Sequence, residues 1–544
     1  MGFDTDTDKT SGPPSKFFEP TYLGLLLSKL HVFHLHRSRF RQEPADSGAL
    51  ARLFRQADGT DLRLVYCPAA MPFSPPAAVA APQPQIQAQP EGQAQPPTQP
   101  QTLGHHIRRT VALAVPVMLA RAGLIIMLSV NTAMIGQSAA TELAFYSVSM
   151  IPHTTLLVTG VGLLIGTVVL TAQAVGAGRP NLTGRIWRLA LIVAGGLGIA
   201  SGLVMLVGEP ILLLLGQPAH LAAGGGRLLV LFAPGMPAVL MFAATTSFLE
   251  GIGRPNAGMV IALAANLVNG GLNWVLIYGN LGAPAMGADG AVIATTVTRW
   301  LMLAAIVLYT LTMRGRDRYG VRAPLRGHFH QIGKLLRMGT PLAVGTALET
   351  TAFSAMATFA GWLGDAEVAA YTVTLNFVTL SFMMTVGIST ATAVRVANAV
   401  GRGDRRGLLL AGWVGTGLVV AVMLVLAMVL ALWPEAIAGV YTGDPAVRAL
   451  VVAAFAVAAP LLIVDGLQGV LMGAVRGAAD VFVPTWLHAV SFWIVTVPLG
   501  YALGVALGHG VTGLMWALLI GLVLASLLLG GRFHVISRRH IRPV

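Results

Sequence analysis

A chain of 544 residues that is 55% hydrophobic and only 10% charged is not an ordinary soluble protein; its repeated apolar runs of about 20 residues are what a bilayer core requires. The formal charge of +13 would suit nucleic acid or an anionic surface, but the basic residues sit mostly in loops on one side of the apolar runs, which makes them topology determinants and argues against a nucleic-acid partner. A single cysteine, Cys67, excludes an internal disulfide framework or a cysteine-built metal site.

Residues 1–105 differ from everything after them. The tract 77–101 is rich in Pro, Gln and Ala and has too little apolar surface to pack, which predicts a disordered cytoplasmic extension. Earlier, Leu23–Leu27 precedes a basic patch at 34–41, in the wrong order for a signal peptide; the alternative to a dispensable tail is a weak membrane-surface helix. The composition then predicts about twelve transmembrane helices, six per copy. They run near 110–136, 143–174, 187–208, 228–250, 258–280 and 290–313, then 335–361, 368–398, 408–433, 447–473, 484–507 and 511–530. The expected organisation is a first six-helix lobe over 106–315, a basic linker at 316–332, a second lobe over 333–532 and a basic tail at 533–544. Arginines crowd alternate loops, as at Arg179, Arg254, Arg316, Arg402 and Arg476, while Glu142, Asp289, Glu367 and Asp444 mark the opposite set. By the positive-inside rule the basic loops and both termini are cytoplasmic, in a multi-pass protein of a bacterial inner membrane.

The chain is internally duplicated. At a shift of 225, Glu142-Leu-Ala-Phe-Tyr-Ser-Val-Ser149 lies over Glu367-Val-Ala-Ala-Tyr-Thr-Val-Thr374, and Ala172-Gln-Ala-Val-Gly-Ala-Gly178 over Ala397-Asn-Ala-Val-Gly-Arg-Gly403. The shift later slips slightly, with Leu249 over Leu471 and Gly287-Ala-Asp-Gly290 over Gly510-Val-Thr-Gly513. An even number of spans per copy gives both copies one orientation, so the expected fold is an all-α polytopic membrane protein whose lobes are related by an axis along the membrane normal.

Ionisable groups in hydrocarbon cost at least about 2.5–3.5 kcal/mol and mark functional positions by default. Glu349, with Thr346, Thr350 and Phe353, shares a face of span seven; Asp465, with Gln468, Gly469 and Met472, shares a face of span ten. Two acids with no obvious basic partner in their own copy either take up a proton or bind a hard cation through oxygen ligands. The bland alternative is a permanently protonated structural acid. In the first copy Leu124 stands where Glu349 stands in the second, and the polar residues are Asn131 on span one and Asn266, Asn269 and Asn273 on span five. Asparagines also glue helices together. Arg121 has three readings: snorkelling inward, pairing with Glu250, or acting as a fixed charge in a cavity. His153 and His488 read as packing histidines rather than proton relays. The sequence holds no Walker loop, nucleophile elbow or HExxH signature, so an enzyme is not expected.

These residues resemble the multidrug and toxic compound extrusion (MATE) transporters, most closely the NorM-type bacterial branch. The likeness rests on the two six-helix copies, the AxAVGxG turn after spans two and eight, Phe248-Leu-Glu-Gly-Ile-Gly-Arg-Pro255, and Leu375-Asn-Phe377, and covers about residues 107–532. The resemblance implies that Glu349 and Asp465 serve a second-lobe cation site, with Phe382 as the nearby aromatic and Asn376 as the span-eight asparagine. It also implies that Asn131 stands where relatives usually carry a coupling aspartate, with Asn269 and Asn273 as its partners, and that Leu461 replaces a tyrosine of the sodium site.

The expected function is a secondary-active multidrug efflux transporter that exports amphipathic, cationic organic compounds in exchange for H+ or Na+, ions that engage Glu349 and Asp465. No cofactor and no other metal are expected; the partners are small organic substrates and the bilayer. Two alternatives stand beside it. One is a lipid-linked precursor flippase of the same superfamily, which would want several cavity arginines where Arg121 is the one in view. The other is a transport-inactive homologue acting as a scaffold or sensor, which would lose nothing on mutation of Glu349.

Overall fold

The computed structural model describes residues 103–323 and 330–538, and every regular element among them is helical. The N-terminal extension up to residue 102, residues 324–329 of the expected linker and the tail beyond 538 lie outside the described residues.

Ten helices are long and apolar enough to cross a membrane, eleven when the pair Ala219–Phe232 and Gly235–Gly251, bent by 52°, is taken as one span. The remaining helix, His330–Leu363, is long enough but is diluted by Thr346, Glu349, Thr350 and Thr351. In chain order span one is Leu103–Ser138, two Thr141–Gly176, three Pro180–Leu206, four the bent pair, five Asn256–Tyr278 and six Gly287–Thr312. Span seven is His330–Leu363, eight Asp365–Arg402, nine Arg405–Leu432, ten Pro445–Gly477, eleven Phe482–Ala506 and twelve Gly510–Arg538. Span twelve continues six residues into the stretch expected to be tail. It does so because Phe533 is fully buried against span nine, where Trp413 lies edge-on to it, and Arg532 pairs with Asp480 at 2.6 Å.

The repeated motifs perform matching jobs in the two copies. The Glu142 carboxylate accepts from the Ala288 N–H at 3.1 Å, and Glu367 accepts from the Val511 N–H at 2.7 Å. Each acid thus satisfies an orphan donor in the first turn of the last span of its copy and opposes the positive end of that helix. The preceding turns require Gly287 and Gly510, whose φ values of 53° and 57° belong to the left-handed region.

The AxAVGxG motif has a different role. It is where spans two and eight cross: a Cβ on Gly176 would run into the Asn398 carbonyl, and one on Gly401 into the Gln173 carbonyl. Both contacts are related by the 225-residue shift, so this crossing straddles the axis that relates the lobes. The same symmetry recurs where Gly162 meets Ala343 of span seven and Gly387 meets Met118 of span one. Gln173 adds a bond to the Gly477 carbonyl at 3.3 Å, and Arg395 reaches His106 and Thr110. All these inter-lobe contacts lie in the halves of the spans that end in basic loops.

Candidate functional site

The second-lobe acids lie on neighbouring helices. Asp465 is 5% exposed on span ten, and Glu349 is half-buried on span seven, within electrostatic reach of it. No basic group lies within ion-pair distance of either acid among the described residues. One turn beyond Asp465, Gln468 is buried and shares a 2.9 Å hydrogen bond with His488 of span eleven, whose ring meets Phe492 edge-on. Phe382 packs beside Gly469 on the same stretch of span ten. Thr385 Oγ1, one turn from Phe382, approaches Gly466 and is buried without a partner, as are Gln468 Oε1 and His488 Nδ1. Buried oxygens of this kind call for an ion, a proton or a water. Asn376 is not brought to this cluster: it is exposed and its amide donates to Thr372 of its own helix at 3.0 Å. Leu461 is buried core.

The first lobe is built on amides. Asn131 donates to Thr295 Oγ1 at 2.9 Å and accepts from Asn273 at 2.7 Å; Asn273 also donates to Asn269 at 3.2 Å. All four side chains are at most 4% exposed, and Tyr146 joins Asn131 from span two. Asn266 stays outside this chain, its amide turned back to the Ala262 carbonyl. Beside the network opens a cavity of about 270 Å³, whose polar lining includes Asn131, Thr154, Thr295, Arg121, His153 and Arg299. Leu124 also lines it, so the position that carries Glu349 in the second lobe is apolar here.

Arg299 escapes the sequence reading, although it lies in the interior of span six. The break in span four puts it there. That break frees the Leu231 and Pro234 carbonyls, which are taken up by Thr296 Oγ1 at 3.2 Å and Trp300 Nε1 at 3.1 Å, and Gly235 lets the Arg299 stem pass close. Arg299 then lies between these two residues, with Nη2 donating to His153 Nε2 at 3.0 Å and the guanidinium 5.5 Å above the Phe232 ring. His153 stacks on the same ring at 4.3 Å. Both histidines that look solitary in the sequence are thus partnered. For Arg121 the structure favours the cavity: it lines the space and forms no ion pair with Glu250, which is buried at the inner end of span four within reach of its charge and that of Arg476.

A duplicated bundle of membrane-spanning helices with this site defines a membrane transporter, not an enzyme. The sequence profile of the MatE family matches residues 116–275 and 341–502, one match in each copy. The chain is 33% identical over 429 residues to the probable multidrug resistance protein NorM of Caulobacter vibrioides, covering 78% of this chain and 91% of that protein. It is 32% identical over 442 residues to the multidrug resistance protein NorM of Burkholderia vietnamiensis, covering 80% and 95%. Among solved structures, the eukaryotic MATE transporter AtDTX14 superposes with a TM-score of 0.74 at 18% identity, covering 80% of this chain and 98% of that one. An outward-facing multidrug resistance MATE family transporter gives 0.73, also at 18% identity, over 80% and 97%. The chain belongs to the MatE family of transporters.

Proposed function

We propose that this protein is a multidrug efflux transporter of a bacterial inner membrane that exports amphipathic organic compounds in exchange for H+ or Na+. The observation that carries the reading is the pair Glu349 and Asp465, on neighbouring helices of the second lobe with no basic partner among the described residues, on the stretch of span ten that also carries Gln468 and packs against Thr385. An organic cation competes with the coupling ion for such a pair, which is the basis for expecting cationic cargo. The cluster of inter-lobe contacts at the basic-loop end supports a state closed to the cytoplasm. Rocking the lobes about the span two and span eight crossing would then open the other side. An ion drives that exchange only by binding the two states with different affinity, so the acids must differ in surroundings between them. The second cavity arginine lends some support to the flippase alternative, but a cavity of about 270 Å³ suits a small organic molecule better than a lipid-linked saccharide.

The test is dye efflux from loaded vesicles with proton and sodium gradients imposed one at a time. Wild type extrudes dye under one gradient, naming the ion, and Glu349→Gln loses at least about tenfold of that rate. Full gradient-driven efflux in Glu349→Gln contradicts the proposal. So does a silent wild type that gains efflux only as Asn131→Asp.

A further inference from the structure

We propose that the first-lobe cavity is an anion subsite in which Arg299, supported by Arg121, binds the carboxylate of an amphipathic organic acid or zwitterion. The proposal rests on the export reading for its biological direction and names a substrate class which that reading, with its cationic cargo, does not foresee.

The charge inventory of the cavity carries it. Its lining holds two guanidinium groups, a histidine and a tyrosine, and no carboxylate. A cation within the bilayer is expensive and normally meets a counter-charge. Arg299 has none within 4.0 Å among the described residues; one nitrogen meets a histidine, one face meets Phe232, and Nη1 is buried without any partner. Asn131, which shares the lining, is an amide and supplies no charge. The walls are otherwise apolar, with Leu124, Met150, Leu157 and Phe242 offering a bed for an aromatic or aliphatic body. A planar guanidinium presents parallel donors that match a carboxylate, and it does so more strongly away from water.

The charges that line the two sites are therefore of opposite sign and stand at positions that the repeat does not relate. Where the second holds Glu349 and Asp465, the first holds Leu124 at the 225-residue shift and Ala243 at the shift of 222 that relates Leu249 to Leu471. Where the first holds Arg299, the second holds the fully buried Leu522, at the shift of 223 that relates Gly287 to Gly510. A zwitterion offers an acid that suits the first-lobe cavity, while the acids of the second lobe suit a cation.

The experiment uses the purified full-length protein in nanodiscs, without any gradient, and two fluorescent probes, dansylglycine and its methyl ester, which share a body and differ in charge. Wild type is expected to bind the acid about tenfold or more tightly than the ester, the range of a hydrogen bond to a charged group. Arg299→Gln, checked for folding by its thermal unfolding, should abolish that preference, and Arg299→Lys should keep part of it. Asn131→Asp, which adds a counter-charge while keeping Arg299, should weaken acid binding severalfold without truncating the side chain. Equal binding of the two probes to wild type, binding of neither, or a preference that survives Arg299→Gln overturns the proposal. Because no gradient is applied, these results stand apart from whether Glu349 couples transport.

Discussion

An amide neither releases nor takes up a proton under ordinary conditions, so the chain Asn131–Asn273–Asn269–Thr295 acts mechanically, tying spans one, five and six together by buried hydrogen bonds. Inter-helical bonds in membranes are worth about 0.6 kcal/mol on average and up to about 1.7. Thr295→Val removes the hydroxyl that accepts from Asn131 at 2.9 Å and from Asn269 at 3.5 Å, and is expected to cost about 0.5–2 kcal/mol. That would appear as a fall of a few degrees in thermal unfolding midpoint in detergent; an unchanged midpoint would mean that the network is slack. Asn269 and Asn273 are legible in the sequence because they share a helical face of an apolar run. Thr295 is not, since a threonine in a span is commonplace. Arg299 is hidden for another reason: only the break in span four, with its freed carbonyls, shows that the arginine beside Trp300 is turned to a cavity.

At the scale of whole helices, the recurring sequence echoes resolve into joints. Glu142 and Glu367 each tie the start of one span to the start of another by accepting a backbone N–H. Removing either, as Glu142→Ala or Glu367→Ala, leaves that donor unpaired and is expected to destabilise by about 0.5–2 kcal/mol, the range of a helix cap. The two losses should add, because the joints are in different lobes. A double variant no less stable than the single ones would refute the assignment. The duplication, the number of spans and these acids are legible in sequence because each leaves a repeated or periodic trace. Pro234 and Pro237 signal a bend in span four, but its 52° size and the π-helical stretches of span eleven at Ala489–Thr496 and Tyr501–Ala506 are not legible, since hydropathy carries no trace of them.

Across the whole molecule, the lobes meet through backbone at glycines, and such a contact tolerates no side chain. Gly401→Val forces a branched side chain onto the Gln173 carbonyl. Overpacking of this kind costs about 1–3 kcal/mol, enough to shift a two-state balance about 5- to 150-fold towards a state open at the inner end. In a background where Cys67 is replaced, a cysteine placed at Asn398 should then label faster from the cytoplasmic side than in the otherwise unaltered protein; unaltered labelling would show that the crossing does not gate. Glu349 and Asp465 are legible because acids inside apolar runs are rare, whereas their common cluster with Thr385, Gln468 and His488 depends on how spans eight, ten and eleven pack.

Exchange at the second-lobe acids is proposed to be obligatory. It is tested most directly in proteoliposomes loaded with substrate and given no ion gradient, by following whether downhill substrate flow drives protons or sodium the opposite way. Wild type should move one of these ions against substrate, and Glu349→Gln should move neither. Substrate flow that carries no ion in wild type, or ion movement that persists in Glu349→Gln, would contradict the account.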